Sequence, residues 1–221
     1  MEKYEQLLSR LQNGDSTLIE LNFDDCYIDD DQDDNFIEKL AESLKFNTNL
    51  KKLYIALDIY DDKIINFFDA LKINNTIEDL QILSHIKNYI NEFIEMLKFN
   101  TSIKILDISN CGIDSYCVEI FAEYLKYDTN IKELYIGSNQ NIDELDAITI
   151  LNALIHNSCL KHLDTKYCDL ISNYYNFYDF EELLSHNYVI KTINGYDVEK
   201  FLPEENRNLR HRFLTTKSAK K

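Results

Sequence analysis

The sequence predicts an α/β solenoid of about seven repeats, in which short parallel strands alternate with helices. A helical cap is predicted at each end. One apolar position recurs every 26 to 32 residues along the 221-residue chain, at Leu21, Leu53, Leu80, Leu106, Leu134, Leu163 and Ile193. Around these residues, apolar and polar side chains alternate as they do in a short strand. Apolar residues three or four positions apart then follow, a spacing typical of an amphipathic helix. One strand and one helix cannot bury their apolar faces alone, so the repeats are expected to stack.

The amino-terminal segment, residues 1–17, is predicted to be a cap, because its apolar residues have helical spacing at Tyr4, Leu7, Leu8 and Leu11. A terminal repeat without a cap would leave its apolar face in water. We expect the cap to form one helix that covers the first strand.

The repeats are predicted over residues 18–200, with apolar side chains at positions one, four and six of each unit, as in Ile103, Leu106 and Ile108. Positions four to six form the strand. The parallel strands are expected on the concave side of a curved solenoid and the helices on its convex side. The helices are predicted around residues 37–44, 64–71, 90–97, 121–125, 151–155 and 180–184.

The carboxyl-terminal segment is predicted to hold a second cap helix at residues 201–214, which Pro203 opens in the position that proline favours. Residues 215–221 are predicted to be a basic, flexible tail. With four Gly and one Pro, the sequence has no linker-like stretch between the repeats. It therefore predicts a single domain over residues 1–214.

The composition narrows the classes of partner. A formal net charge of −16 argues against nucleic acid or an anionic membrane as the main ligand, because phosphate binding uses clustered Lys and Arg. Five cysteines without a C-x-x-C motif indicate reduced thiols. No stretch of 18 apolar residues and no signal peptide is visible, so an acidic, cytoplasmic, monomeric protein is expected.

The most acidic stretch, residues 24–34, carries the first three spacings of a calcium loop at Asp29, Asp31 and Asp33. The rest of that motif is missing, because Asp34 stands where the loop needs Gly and Leu40 where it needs Glu. We therefore predict no metal site here. Acidic residues in this place also favour the positive end of the following helix.

Histidine and cysteine give no catalytic pattern. His156 and His186 occupy the same position in consecutive repeats, directly before an asparagine. A loop that recurs in each repeat explains them more simply than a metal site does. Cys26, Cys111 and Cys168 recur at one position of their repeats and are predicted to be structural thiols. Because no hydrolase or phosphate-loop motif occurs, we predict neither an enzyme nor a cofactor.

The candidate binding surface is the face of the sheet that points away from the helices. Strand side chains alternate between the two faces, so position five of each unit lies on this face: Asn22, Tyr54, Gln81, Asp107, Tyr135, Asp164 and Asn194. The margin adds Tyr167 and Tyr196, and position two adds a predicted basic edge of Lys51, Lys104, Lys132, Lys161 and Lys191. Tyrosine is enriched at protein interfaces. The alternative is a solvated sheet face with incidental tyrosines.

The repeat resembles the leucine-rich repeat template L-x-x-L-x-L-x-x-N/C, with Cys26, Cys111, Asn139 and Cys168 at the ninth position. From Leu18 to Gly195 the chain resembles the ribonuclease-inhibitor-like subfamily, whose units of about 28 residues pair a strand with a full helix. The joints at Leu44–Leu50 and Leu125–Ile131, and the closing segment 187–196, look similar to the carboxyl-terminal domain of tropomodulin.

The resemblance implies a non-enzymatic module that binds a protein partner through the concave face of the solenoid. Two alternatives share the repeat class, namely a GTPase-activating protein and an actin-linked regulator. Neither the partner nor its class follows from the residues themselves.

Overall fold

A computed structural model describes residues 2–23, 35–56, 63–127, 129–166 and 186–201, together with residues 204 and 207. The chain divides into two compact units, residues 1–113 and 114–221. The acidic stretch 24–34, the helix predicted around 180–184, and most of the predicted carboxyl-terminal cap and tail lie outside the described residues.

Unit 1 alternates helices and strands in the predicted order. Its described residues form four parallel strands that neighbour one another in sequence order: β1 (Glu20–Asn22), β2 (Lys52–Ala56), β3 (Asp79–Leu83) and β4 (Ile105–Asp107). Its helices are α1 (Glu2–Gln12), α2 (Phe36–Phe46), α3 (Lys63–Ile73) and α4 (Ile90–Phe99), and a 3-10 turn at Ile86–Tyr89 precedes α4. Helix α3 packs between α2 and α4.

Within its described residues, unit 2 contains two helices, α5 (Ser115–Leu125) and α6 (Glu144–Leu154), which pack together. The same residues form three parallel strands in register: β5 (Glu133–Tyr135), which lies between the two helices in sequence, and β6 (His162–Asp164) and β7 (Thr192–Ile193), which come after α6. A short strand β8 (Tyr196–Asp197) then pairs antiparallel with β7, and a 3-10 turn covers Val198–Phe201. The antiparallel strand ends the series of parallel repeats.

The core lies between the strands and the helices of each unit. The seven residues predicted at the centre of the strands are all buried, with at most 2% of their surface exposed. In unit 1 they align as Leu21, Leu53, Leu80 and Leu106, each the register partner of the next. Each full burial of a Leu side chain contributes about 1.5–3 kcal/mol. One strand and the helix that follows it form one coil, and successive coils stack through these buried residues. This stacking confirms the predicted α/β leucine-rich repeat solenoid. Its curvature stays a prediction.

The joints between helix and strand are fixed by a ladder of buried asparagines: Asn47, Asn74, Asn100, Asn157 and Asn187. Asn100 shows the full pattern. Its Oδ1 accepts from the backbone N–H groups of Ser102 and Ile103, both at 2.9 Å, which closes the local turn. Its Nδ2 donates to the carbonyls of Leu71 at 2.7 Å and Asn74 at 2.9 Å in the preceding coil. One amide therefore satisfies polar groups of two coils at once.

The ladder is repeated within each unit. In unit 1, Asn74 Nδ2 donates to the carbonyl of Leu44 at 2.8 Å, and in unit 2, Asn187 Nδ2 donates to that of Leu154 at 2.6 Å. These carbonyls belong to the last turns of α2 and α6, where the regular helical donors run out. Each also accepts from a backbone N–H three residues later, Leu44 from Asn47 at 3.3 Å and Leu154 from Asn157 at 3.1 Å. Asn47 begins the ladder, and its buried Nδ2 has no hydrogen-bond partner within the described residues.

Helix α1 lies within the segment predicted as the amino-terminal cap, and its Leu8 and Leu11 are buried. A polar cluster holds the turn that follows. Asp15 accepts from Arg10 Nε at 2.7 Å and from the Thr17 hydroxyl at 2.6 Å. These hydrogen bonds to Thr17 and Arg10 lower the pKa of Asp15 from 3.8 to about 2.

Helices α5 and α6 begin well before the residues at which the apolar spacing predicted them. Their first turns are stabilised by side-chain caps: Asp114 accepts from the N–H of Cys117 at 3.1 Å, and Asp143 accepts from the N–H groups of Leu145 and Asp146. These caps satisfy backbone donors that would otherwise be orphaned. The apolar pattern therefore marked the buried face of each helix, and the caps set its start.

Candidate protein-interaction face

The predicted binding strip of unit 1 lies on one face of the sheet. Asn22, Tyr54, Gln81 and Asp107 are register partners on four successive strands. Asn22 is exposed and the other three side chains are half-buried, while the residues on either side of each point into the core. Adjacent strands are about 4.8 Å apart, so the four side chains form a continuous row about 14 Å long.

The row combines different chemistries in a short distance. Tyr54 lies between an amide on β1 and an amide on β3, and Asp107 ends the row with a carboxylate. Asp107 Oδ1 accepts from the N–H of Ser109 at 2.9 Å, which fixes the direction of this carboxylate. The arrangement offers aromatic contact area beside hydrogen-bonding groups, as recognition surfaces do.

A second row of charges lies next to this strip. Lys52 on β2 faces Asp79 on β3, with Nζ and Oδ2 4.0 Å apart; the Lys52 side chain is exposed and the Asp79 side chain is half-buried. The pair spans two strands at one register position. Because Lys52 is exposed to water and the two charges are 4.0 Å apart, the pair is worth at most about 1 kcal/mol.

The predicted basic edge is interrupted in unit 1 by an acidic residue. Lys51 and Lys104 are exposed as predicted, and Glu78 lies between them. Glu78 accepts from Lys51 Nζ at 3.4 Å and from Lys104 Nζ at 2.5 Å. The hydrogen bond and the charge of Lys104 are the main cause that lowers the pKa of Glu78. This edge is therefore a mixed ion network in unit 1, and not a purely basic row.

Unit 2 carries the remaining members of the predicted set. Tyr135 and Asp164 are register partners on β5 and β6, and both are half-buried. The Tyr135 hydroxyl donates to Glu133 at 3.1 Å, and Asp164 pairs with Lys166 at 3.0 Å. Both polar tips thus have partners beside them on their own strand segments. Lys132 is half-buried, whereas Lys161 and Lys191 are exposed.

Asn194 has a structural role that the alternation pattern did not indicate. Its backbone has a positive φ of 53°, and its Oδ1 accepts from the N–H of Thr165 at 2.6 Å and from the Thr165 hydroxyl at 2.9 Å. The side chain therefore ties the last parallel strand to the coil before it. Tyr167 and the side chain of Tyr196 lie outside the described part of the structure.

The sites considered for metal or thiol chemistry have ordinary surroundings. The described residues contain no cluster of His, Cys, Asp or Glu that could hold a metal ion. His156 and His186 are exposed at the joints. Cys111 is buried, and its Sγ lies 3.0 Å from the carbonyl of Ile82, as expected of a structural thiol. Burial raises the pKa of the Cys111 thiol from 9.0 to about 12.

The ninth repeat position is occupied as the template requires at two described coils, by Cys111 and by Asn139, whose Nδ2 donates to the carbonyl of Ile136 at 2.8 Å. In the third coil of the chain the corresponding His85 is exposed. Within the described helices, none is long and apolar enough to cross a membrane.

Sequence reasoning missed one surface feature. The residue before each ladder asparagine in unit 1 is large, apolar and exposed: Phe46 to 82%, Ile73 to 58% and Phe99 to 59%. The signal was present in the repeated joints, because the same slot recurs once per coil. Apolar spacing alone does not show whether the last residue of a helix is buried or exposed.

No protein-family model matches the sequence, and no curated protein sequence matches it. Among solved structures the chain is similar to actin-binding site 2 of leiomodin-1, with 16% sequence identity over 98% of this chain and 94% of that chain, and a TM-score of 0.37. It is also similar to the tropomodulin C-terminal domain of Caenorhabditis elegans, with 11% identity over 99% of each chain and a TM-score of 0.48. Because both TM-scores are below 0.5, the fold assignment depends on the repeat geometry of this chain itself.

Proposed function

We propose that the protein is a non-catalytic module that binds a protein partner through the open face of its sheet. The observation that supports this most is the row Asn22, Tyr54, Gln81 and Asp107, which lies at one register position on four successive strands. A repeat scaffold presents such a row at nearly constant spacing, and extended partners can contact several strands together.

The chemistry of the row favours a protein partner with a polar contact surface, whether that partner is folded or extended. Tyr54 supplies contact area at a low cost in side-chain entropy, and Gln81 supplies both a donor and an acceptor. Lys52 and Asp79 next to the row add charges of both signs, which give specificity more than affinity. Tyr135 and Asp164 provide the corresponding chemistry on unit 2.

Site-specific photo-crosslinking tests this proposal. A benzophenone amino acid replaces Gln81 on the sheet face in one variant and Glu92, exposed on α4, in a matched control. After incubation with lysate, mass spectrometry identifies the crosslinked proteins. We expect one protein to be captured from position 81 and not from position 92. Equal capture at both positions, or capture from position 92 alone, would contradict binding through the sheet face.

The identity of the captured protein separates the alternatives. Capture of a small GTPase would support the alternative of a GTPase-activating protein, which an assay of GTP turnover then checks. Actin would support the actin-linked regulator, which a filament-end assay checks. Any other protein captured specifically from position 81 supports the general binding module.

A further inference from the structure

The first helix of unit 1 ends differently from the helices that follow it. Helices α2 and α4 are each followed by a ladder asparagine with extended backbone, Asn47 at a φ of −74° and Asn100 at a φ of −71°. Gly14 stands three residues after the buried Leu11, as Asn47 does after Leu44, and its φ is 66°. Glycine adopts this left-handed conformation at little cost. The chain therefore leaves α1 in another direction and without a ladder asparagine.

The polar groups at the end of α1 are satisfied within the same segment. The N–H of Gly14 donates to the carbonyl of Leu11 at 3.1 Å, and the N–H of Asp15 donates to that of Arg10 at 3.0 Å. These are the two hydrogen bonds of a Schellman motif, which closes the end of a helix locally. Side-chain hydrogen bonds among Arg10, Asp15 and Thr17 lie inside the same stretch. The end of α1 therefore needs no partner from another part of the chain.

The asparagine ladder stops at the joint between α1 and α2. At the next joint, Asn74 Nδ2 donates to two carbonyls of the preceding coil, at 2.8 and 3.3 Å. Asn47 is 6% exposed, and its Nδ2 has no hydrogen-bond partner within the described residues. One hydrogen bond joins the described groups of residues 2–17 to residues distant in sequence, from Asn49 Nδ2 to the Gly14 carbonyl at 3.4 Å. The polar connection of α1 to the first coil is therefore weaker than the connections between coils.

The apolar contacts of α1 are also fewer than those of a helix of equal length. Helices α1 and α3 both have 11 residues. Of the described side chains of α1, Leu8 and Leu11 are buried, whereas α3 buries five of its side chains. Burial of apolar surface is the main favourable contribution to folding. Helix α1 is therefore held to unit 1 less strongly than α3 is.

We propose that α1 and its turn, residues 2–17, form a detachable cap that opens as one body while the rest of unit 1 stays folded. The cap is closed within itself, and the ladder lies beyond it. Elements with few buried contacts open at a lower free energy than the core. Opening uncovers the apolar surface against which Leu8 and Leu11 pack, and it leaves the row on the sheet face in place. This inference is therefore independent of the proposed binding through that face.

Native-state hydrogen exchange of the full chain, measured by NMR at urea concentrations below the unfolding transition, tests the proposal. Helix α3 is the matched control, because it has the same length as α1. We expect the amides of residues 8–15 to share one opening constant, about tenfold or more above that of the α3 amides. Their urea dependence should be weaker, because opening of the cap exposes less surface than unfolding of the unit.

Two outcomes of this measurement would overturn the proposal. Equal opening constants and equal urea dependence in α1 and α3 would show that the cap unfolds only together with the unit. A gradient along α1, with the amides of residues 11–15 as protected as those of α3, would show that the chain end frays and that no cap detaches.

Two substitutions test whether the opening is confined to the cap. Ile82→Val, at a buried residue of β3, should raise the opening constant of the α3 amides about two- to tenfold. It should leave that of the α1 amides unchanged, because the contacts of Ile82 persist when the cap opens. Leu8→Ala removes a buried contact of the cap and should raise the α1 opening constant about tenfold or more. Equal acceleration of α1 and α3 by Ile82→Val, or no effect of Leu8→Ala on α1, would contradict the proposal.

Discussion

At the scale of single residues, the asparagine after each helix does more for this fold than its polar character suggests. Asn100 is 3% exposed and makes hydrogen bonds within its own joint and to the preceding coil. A buried amide of this kind is stabilising only when its donors and acceptor are satisfied together. The repeated slot was visible in the sequence, but its hydrogen bonds follow from the stacking of coils.

Replacing Asn100 by alanine should destabilise the protein strongly. The change leaves the N–H groups of Ser102 and Ile103 and the carbonyl of Leu71 without this partner, at about 1–3 kcal/mol for each buried group. We expect a loss of roughly 3 kcal/mol or more in the free energy of unfolding, measured by urea denaturation.

Asn100→Asp is the matched comparison, because aspartate keeps the acceptor and loses both donors. Exposed Asn91 supplies the control, since Asn91→Ala removes an amide at the surface of α4. An Asn100→Ala variant as stable as Asn91→Ala would show that the ladder does not hold the joints.

At the scale of elements, the helix starts in unit 2 are coupled through one buried carboxylate. Asp146 is 5% exposed, and its Oδ2 accepts from the N–H of Asp143 at 2.9 Å and from the Ser115 hydroxyl at 2.8 Å. The first contact completes the capping box of α6, and the second links α6 to the first residue of α5. One side chain thus aligns two neighbouring helices.

Asp146→Ala should loosen both helix starts. Loss of a capping interaction costs about 0.5–2 kcal/mol, and the unpaired Ser115 hydroxyl adds to it. We expect faster amide hydrogen exchange in the first turns of α5 and α6, with Asp143→Ala affecting α6 alone. Exchange that rises only in α6 for both variants would contradict the link to α5.

Elements with a strong apolar period were predictable, and their ends were not. The strands followed from alternation around residues such as Leu53 and Leu106, because burial on one face requires it. The starts of α5 and α6 depend on Asp114 and Asp143, whose capping role needs three-dimensional geometry to distinguish it from a polar loop. Glu78 likewise interrupts the basic edge through ion pairs across strands that are 26 and 27 residues apart in sequence.

At the scale of the whole molecule, the repeat places one side chain of each successive strand on the same face of the sheet. In unit 1 this face carries a polar row with one tyrosine. The row could be predicted from the alternation of side chains along a strand. The exposure of Phe46, Ile73 and Phe99 could not, because the apolar spacing of a helix does not show whether its last residue is buried.

The most direct test of the central claim measures the affinity of the protein captured through position 81 for the wild type, Tyr54→Ala and Tyr135→Ala, by isothermal titration calorimetry. Tyr116→Ala, at an exposed tyrosine on α5, is the control. Binding through the sheet face predicts that Tyr54→Ala weakens the affinity at least fivefold, about 1 kcal/mol or more, while Tyr116→Ala leaves it unchanged. A weakening by Tyr135→Ala would extend the face to unit 2. Unchanged affinity in both Tyr54→Ala and Tyr135→Ala, with both variants folded, would contradict the claim that the sheet face is the binding surface.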